Sequence, residues 1–428
     1  MITQVSIQGD FSMKSAKKNR AAGKNPDLLI VGGGIAGLAL AVILGQEGVC
    51  IHLVDPYPPL RLKDSAPSGR TVALMESSLN ILRVGGIGDV IDRYGTPLQA
   101  MRIIDDSVPG QEILTRDFEA QEIGMKQFGM NLPNSILRAA LFDRVSQLSC
   151  VTLHIPGSLC GYQQEHHSVC AQLADETLIH ARLIVGADGR ASTVRSLSGI
   201  KSRKHEYEQS AITCIINHSR SHNFIATEFH RSGGPLALVP MPGNQSSVVW
   251  VVPSRQADAL MALSREAFEQ SLQEKTDNLL GGITLDTPPE AWPLMSMTAL
   301  KLSAPRTALI AEAAHVMSPI TAQGLNLSLR DVAALAETVI DALRLGLDPG
   351  TPGILRDFEK RRRPDIASRV AGVDFMNRIV SNDRMPLRDL RRVGLKIISG
   401  ITPLRLQAMR HGLAPSMDAG RLSRGLPL

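Results

Sequence analysis

The sequence predicts an α/β fold: a parallel sheet of Rossmann type near the N-terminus, an inserted, mostly antiparallel sheet, and a helical C-terminal segment. Three observations predict it. Residues 27–55 pass from a buried-strand pattern through a glycine cluster to a helix and a second strand; residues 205–300 carry β-branched and apolar runs separated by turn formers; from Leu325 onward the pattern is helical. With 428 residues, 43% of them hydrophobic, the chain can bury the core of one large α/β unit or of two domains. No stretch approaches the ~20 uninterrupted apolar residues of a membrane-spanning helix.

The first element is residues 27–34 (DLLIVGGG), a buried strand running into glycines. Residues 35–46 follow as a helix of small and apolar residues, Gly48 ends it, and residues 49–55 (VCIHLVD) form the second strand. Between strand and helix stands a GxGxxG made by Gly32, Gly34, Ile35, Ala36 and Gly37. Gly32 permits the tight turn, Gly34 lets a pyrophosphate approach the backbone, and Gly37 lets helix and strand pack closely. The phosphates then meet the free N–H groups of the helix N-terminus. Asp55, at the end of the second strand, suits a carboxylate accepting from an adenosine ribose. No second GxGxxG follows a strand, and the glycines at 85, 86 and 88 read as a cap or turn.

The five cysteines form no CxxC pair and have no metal spacing, so reduced thiols are expected and a disulfide reductase is not. No metal site is expected. Residues 205–300 read as strands at 212–217, 225–230, 236–240 and 247–252, with a helix over 264–276. His222, Glu228 and His230 read as surface positions on edge strands. Residues 1–26 hold five Lys/Arg against Asp10 and read as a disordered basic tail. Residues 356–428 hold sixteen Arg/Lys against seven acids. Within them, 389–412 interleave basic and apolar residues, which suits either an anionic bilayer surface or packing on the rest of the protein.

Two later segments add to the glycine-rich opening: residues 183–195 (LIVGADGRASTVR) and 309–331 (LIAEAAHVMSPITAQGLNLSLRD). Together the three resemble the flavin motifs of the FAD-dependent aromatic hydroxylases. Arg70 with the following TVAL, the Tyr207–Ala211 run YEQSA, residues 234–240 (GPLALVP), 247–250 (SVVW) and the RRRPD of 361–365 are similar to signatures of the ubiquinone-biosynthesis subgroup. The resemblance covers roughly residues 27–415. It implies a Rossmann-like FAD-binding domain at 27–105, 130–200 and 301–350. A substrate sheet domain would take 106–129 and 201–300, and a helical segment 351–428.

The resemblance also implies roles. Asp188 and Gly189 lie near the FAD pyrophosphate and the nicotinamide donor, Arg70 and Asn134 contact FAD, and Gln323, Gly324, Leu325 and Asn326 open a helix (325–343) aimed at the flavin ring. Where the family has Gly-Asp-Ala-Ala-His, this chain has Ala311, Glu312, Ala313, Ala314 and His315. Glu312 keeps the carboxylate and Ala311 adds a Cβ. Thr321 stands where relatives often have glycine. His315 is either a catalytic base or a structural histidine, and no catalytic residue is assigned.

The implied reaction is hydroxylation of a prenylated phenol in ubiquinone biosynthesis: NADPH or NADH reduces FAD, and O2 adds to give a flavin C4a-hydroperoxide. Two alternatives stand beside it, a hydroxylase of a soluble aromatic compound and a flavin-poor scaffold of a quinone-synthesis complex. The expected setting is the cytoplasm, with peripheral contact at the inner face of the cytoplasmic membrane through the C-terminal segment. A homo-oligomer or a quinone-synthesis complex fits; nucleic acid does not.

Overall fold

The computed structural model describes residues 25–65, 70–107, 112–231, 233–380, 393–394, 397, 400–413 and 420–428. Nearly all of the basic tail and about a third of the 389–412 segment lie outside the described residues. Five parallel strands form the first sheet: β1 (Leu28–Val31), β2 (Ile51–Val54), β3 (Val151–His154), β4 (Leu183–Gly186) and β5 (Thr307–Leu309), in the order β3-β2-β1-β4-β5. Ser303–Ala304 adds an antiparallel edge. Strands β1 and β4 are buried along their whole length, as continuous apolar runs covered on both faces require. Helix α1 (Ile35–Gln46) is buried from Ala36 to Gly45, because the sheet, the helix Asn134–Val145 and helix α2 (Gln323–Arg344) surround it. That surround explains the absence of a polar stripe on α1. Helix α3 (Pro352–Val380) packs along α2 and carries Pro364 inside it. Gly85 caps the helix Glu76–Val84, and Gly86 has φ +77°, as the turn reading of these glycines expects.

The second layer is a nine-stranded sheet. Its long strand Ser202–His218 pairs with Gln245–Pro253 on one side and with Glu290–Ala299 on the other. Leu236–Met241, Ile225–His230, Ala100–Asp105 and Leu114–Glu119 extend it. Only the pairing of Ile225–His230 with Ala100–Asp105 is parallel among these neighbours. Register fixes the two faces. Ile212, Cys214, Ile216, Phe229, Leu236, Leu238, Val248 and Trp250 pack under the helices Ser254–Met261 and Arg265–Lys275. Each such buried side chain contributes about 1.5–3 kcal/mol. Ser264 caps the second helix, its Oγ accepting from the Ala267 N–H at 3.2 Å. The opposite face, with Ala211, Val249, Val251 and Leu294, packs on Ile320 from the loop before α2. This sheet therefore forms a roof over the loop that leads into α2.

The reading of His222, Glu228 and His230 as surface positions on edge strands is corrected. Ile225–His230 is an inner strand, flanked on both sides. His222 and His230 are buried, His222 Nε2 bonding the Met241 carbonyl at 2.9 Å and His230 Nε2 the Glu228 carboxylate at 2.9 Å. A short strand of mixed composition gives no sign of its neighbours, and one of them, Ala100–Asp105, comes from more than a hundred positions earlier.

Candidate functional site

The loops that leave the C-terminal ends of β1, β2, β4 and β5 open toward one side, where ligands bind in parallel α/β sheets. In the turn after β1, Gly32 has φ +114°, and a Cβ there would lie 2.3 Å from the Ala187 carbonyl oxygen. A Cβ on Gly37 would lie 1.9 Å from the Gly32 oxygen, so the helix can approach the turn only without a side chain. A Cβ on Gly34 would meet nothing within 4 Å. The turn is thus closed where the protein packs and open where a ligand can enter. Ile35 and Ala36 form the first turn of α1, which has neither a side-chain cap nor an acidic residue. Its leading N–H groups are free for an anion.

Asp55 clamps this turn. Its Oδ2 accepts from the Gly33 N–H at 2.5 Å and its Oδ1 from the Tyr57 N–H at 2.8 Å. A Cβ on Gly33 would stand 2.9 Å from the Asp55 Cβ, so the middle glycine of the run is dictated by the Asp55 side chain. Arg138, one helical turn beyond Asn134, donates to the Gly33 carbonyl at 2.8 Å and the Tyr57 carbonyl at 2.9 Å and approaches Asp55 at 3.4 Å. Sequence reasoning passed over Arg138; its i+4 spacing from Asn134 on one helix face was the available signal. Asn134 begins that helix, with its N–H bonded to the Arg70 carbonyl at 3.0 Å. Its Oδ1 is buried with no partner among the described residues. An unsatisfied buried acceptor costs about 1–3 kcal/mol unless a ligand donates to it.

The loop after β4 holds Asp188 and Gly189, the latter at φ +80°. Asp188 accepts from the Ser192 Oγ at 2.5 Å and from the Val194 N–H at 3.1 Å, which shapes the loop. Buried Arg195 donates to the Ala313 carbonyl at 2.8 Å and the Arg190 carbonyl at 2.7 Å, tying the β4 loop to the β5 loop. Glu312 is half-exposed and pairs with Arg190 at 3.2 Å. Ala311 adopts φ +56°, so this backbone keeps a left-handed turn without glycine.

Behind the β5 loop lies a buried brace. Asp331, in α2, accepts from the Ala311 N–H at 3.0 Å and from Arg362 Nε at 2.7 Å, and it meets His315 Nε2 at 2.6 Å. Arg362 and Arg330 also bond Asp365, at 2.7 and 2.8 Å. Burial alone would raise the Asp331 carboxyl, but His315 and Arg362 outweigh it and hold the group down to about 2. His315 is therefore a structural histidine, and the RRRPD run supplies the brace through Arg362 and Asp365. Neither Asp331 nor Arg362 was singled out from sequence, because their pairing joins two helices 31 positions apart.

Gln323 starts α2 after Ala322, whose φ is +50°; no side-chain cap covers that N-terminus. The left-handed residue is thus Ala322, one position beyond Thr321. A Cβ on Gly324 would meet nothing within 4 Å. Leu325 is partly buried against the core. The Asn326 side chain is taken up by the protein: Oδ1 accepts from the Met75 N–H at 2.9 Å, and Nδ2 donates to the Ala73 and Ala322 carbonyls at 2.8 and 2.7 Å. It pins the loop to the strand Thr71–Met75. Just before that strand, Arg70 lays its guanidinium 4.4 Å from the ring centre of Trp292 in the roof. Thr71 Oγ1 bonds Ser247 Oγ at 2.7 Å, a second link from loop to roof.

The expected residues thus stand on the loops that follow β1, β2, β4 and β5, at the start of α2, and around Arg70 where it meets Trp292 of the roof. Two uncapped helix N-termini, two open glycines and an orphaned Asn134 acceptor fit an elongated, phosphate-bearing dinucleotide. A separate cavity of about 360 Å³, lined in part by Arg102, Arg220, His222 and Leu238, lies on the other side of the roof, as Leu238 shows.

Residues 25–371 match the family model described as FAD binding domain. The chain is 36% identical to the ubiquinone hydroxylase UbiL of Rhodospirillum rubrum, over 98% of this chain and 97% of the relative. It is 28% identical to the 3-demethoxyubiquinol 3-hydroxylase of Escherichia coli, over 90% of this chain and 98% of the relative. In structure it is similar to the p-nitrophenol 4-monooxygenase PnpA of Pseudomonas putida, with a TM-score of 0.75 at 16% identity, over 92% of this chain and 99% of the other.

Proposed function

The chain belongs to the FAD-binding-domain family and, within it, to the ubiquinone hydroxylases, and from that premise we propose that it is an NAD(P)H- and FAD-dependent monooxygenase hydroxylating the aromatic ring of a prenylated phenol. The observation that carries this reading is the glycine turn, open only at Gly34 and set beneath the uncapped N-terminus of α1. FAD bound there supplies reduction by NAD(P)H and activation of O2. The chain's own residues do the rest. The free N–H groups of α1 would hold the pyrophosphate, and the Asn134 Oδ1 would accept a hydroxyl or amide proton of the cofactor. The uncapped N-terminus of α2, at Gln323 and Gly324, would offset negative charge developing on the ring. Asp188, Arg195, Asp331 and Asn326 act one layer out, fixing the loops that carry these groups. The apolar contact of Ile320 with Ala211, Val249 and Val251 keeps water from one side of the reacting face.

The visible spectrum of the purified protein tests the reading. Flavin bands that bleach under anaerobic NADPH and return in air are expected; a protein that stays colourless after addition of FAD refutes it. A deletion strain should accumulate a prenylated phenol. Normal quinone content would remove this substrate class.

The substrate's lipid tail gives the C-terminal segment a purpose. Val393, Ile397, Ile401 and Leu404, spaced at helical intervals, are each between 43% and 50% exposed. Among the described residues no helix is long and apolar enough to cross a membrane. Such a stripe in the strongly basic C-terminal region would lie on an anionic bilayer. Flotation with anionic vesicles, absent with neutral ones, is the expected result.

A further inference from the structure

One face of the roof presents two buried polar groups that find no partner among the described residues. Trp292, in Glu290–Ala299, stands directly opposite Ala211 of Ser202–His218, and Thr213 is two residues along from Ala211. Side chains alternate between faces, so Ala211, Thr213 and Trp292 share one face. That face is the one on which Ile320 packs, from the loop just ahead of Gln323 and Gly324. Thr213 and Trp292 are diagonal neighbours, about 7–8 Å apart along the sheet, close enough for both to reach one small group between them. The Trp292 Nε1 and the Thr213 Oγ1 are both buried, and neither has a partner among the described residues. Two unmet polar atoms on one apolar face cost more than the fold gains by keeping them, unless something binds there. The indole is also held in place, with the Arg70 guanidinium stacked on it.

We propose that Trp292 and Thr213 form the site that grips the phenol oxygen of the substrate, with Arg70 as the residue that positions the indole. The Trp292 N–H donates to the phenol oxygen, and the Thr213 hydroxyl oxygen accepts from the phenol O–H. One donor and one acceptor match the hydrogen-bonding capacity of a phenol and not that of an ether or a hydrocarbon. The remaining lining, Ala211, Val249, Val251, Leu294 and Ile320, suits the flat apolar face of the ring. This assignment rests on the monooxygenase reading and specifies how that site recognises its substrate.

The test uses the FAD-loaded full chain, a phenol carrying a short isoprenyl chain, and the methyl ether of that phenol. Binding is read from the perturbation of the flavin absorbance without donor, and turnover from KM and kcat. Trp292→Phe keeps an aromatic ring for Arg70 and deletes the N–H. Thr213→Val keeps the shape and deletes the hydroxyl. Trp292→Phe should weaken both phenol and ether by about three- to tenfold, and Thr213→Val should weaken the phenol alone by a similar factor. The loss should appear in KM and in the fraction of donor oxidation coupled to product, with flavin content and the rate of donor-free reoxidation unchanged. Variants that bind phenol and ether as the parent does overturn the assignment while leaving the monooxygenase reading intact. A parent protein that cycles its flavin yet neither binds nor hydroxylates the phenol overturns the assignment together with the prenylated-phenol substrate class.

Discussion

Replacing Asp331 by asparagine removes one charge from a site that excludes water. Asp331 is 0% exposed, and its oxygens serve the Ala311 N–H, His315 and Arg362. Removing one partner of a buried ion pair costs about 3–5 kcal/mol, because the other is left uncompensated. Here Arg362 keeps Asp365 at 2.7 Å, so the expected loss is at the lower end, about 3 kcal/mol. The amide of asparagine would also turn a donor toward either Arg362 or the Ala311 N–H, which frees the loop around Ala311 and Glu312 before the rest of the protein unfolds. The assay is thermal release of FAD, followed by its fluorescence, beside loss of helical circular dichroism. FAD release should move to lower temperature by more than the global transition. The pH dependence has a definite sign. Asp331 is held at about 2 against an ordinary 3.8, and a carboxyl depressed in the fold stabilises above the ordinary value and ceases to do so as pH falls through the depressed one. The gap between parent and variant should therefore be full at neutral pH and shrink below about pH 4. A variant that releases FAD and unfolds alongside the parent at neutral pH would refute the brace.

Three further expectations follow from the same geometry. Gly34→Ala should leave the cofactor-free protein as stable as the parent, since its Cβ meets nothing, yet weaken FAD binding, whereas Gly37→Ala should disrupt the fold itself; equilibrium dialysis with FAD and denaturant midpoints separate the two. Ala311→Gly should raise stability, because a left-handed alanine costs about 1–2 kcal/mol and the added freedom of an unfolded glycine returns only about 0.5–1 kcal/mol of that; a lower denaturant midpoint would contradict it. His52, beside His154 at 3.1 Å, is pushed down to about 4 from 6.5, chiefly by burial and then by His154. The unfolded chain binds that proton first, so stability should fall as pH drops from 6.5 toward 4, and His52→Gln should flatten that part of the profile in chemical denaturation at stepped pH.

Much of the site was legible in the sequence because it depends on local chain geometry. Gly32, Gly34 and Gly37 act within one turn, Asp55 ends the adjacent strand, and Gln323 and Gly324 open a helix whose apolar period is visible in the letters. Strand and helix order, and with it the Rossmann-type arrangement, follows from the same short-range patterns. What the letters left open is decided by pairing across distance. His230 is buried because Ala100–Asp105 closes the edge it stands on. His315 is structural because α2 and α3 bring Asp331 and Arg362 to it. Asn326 holds the loop rather than projecting freely because the strand Thr71–Met75 runs beside it. Trp292 and Thr213 share a face only because the register of two strands, 79 positions apart in the chain, sets Trp292 opposite Ala211. Register moves every side chain of a strand to one face or the other at once, so no run of residues read alone could fix which groups face the ring.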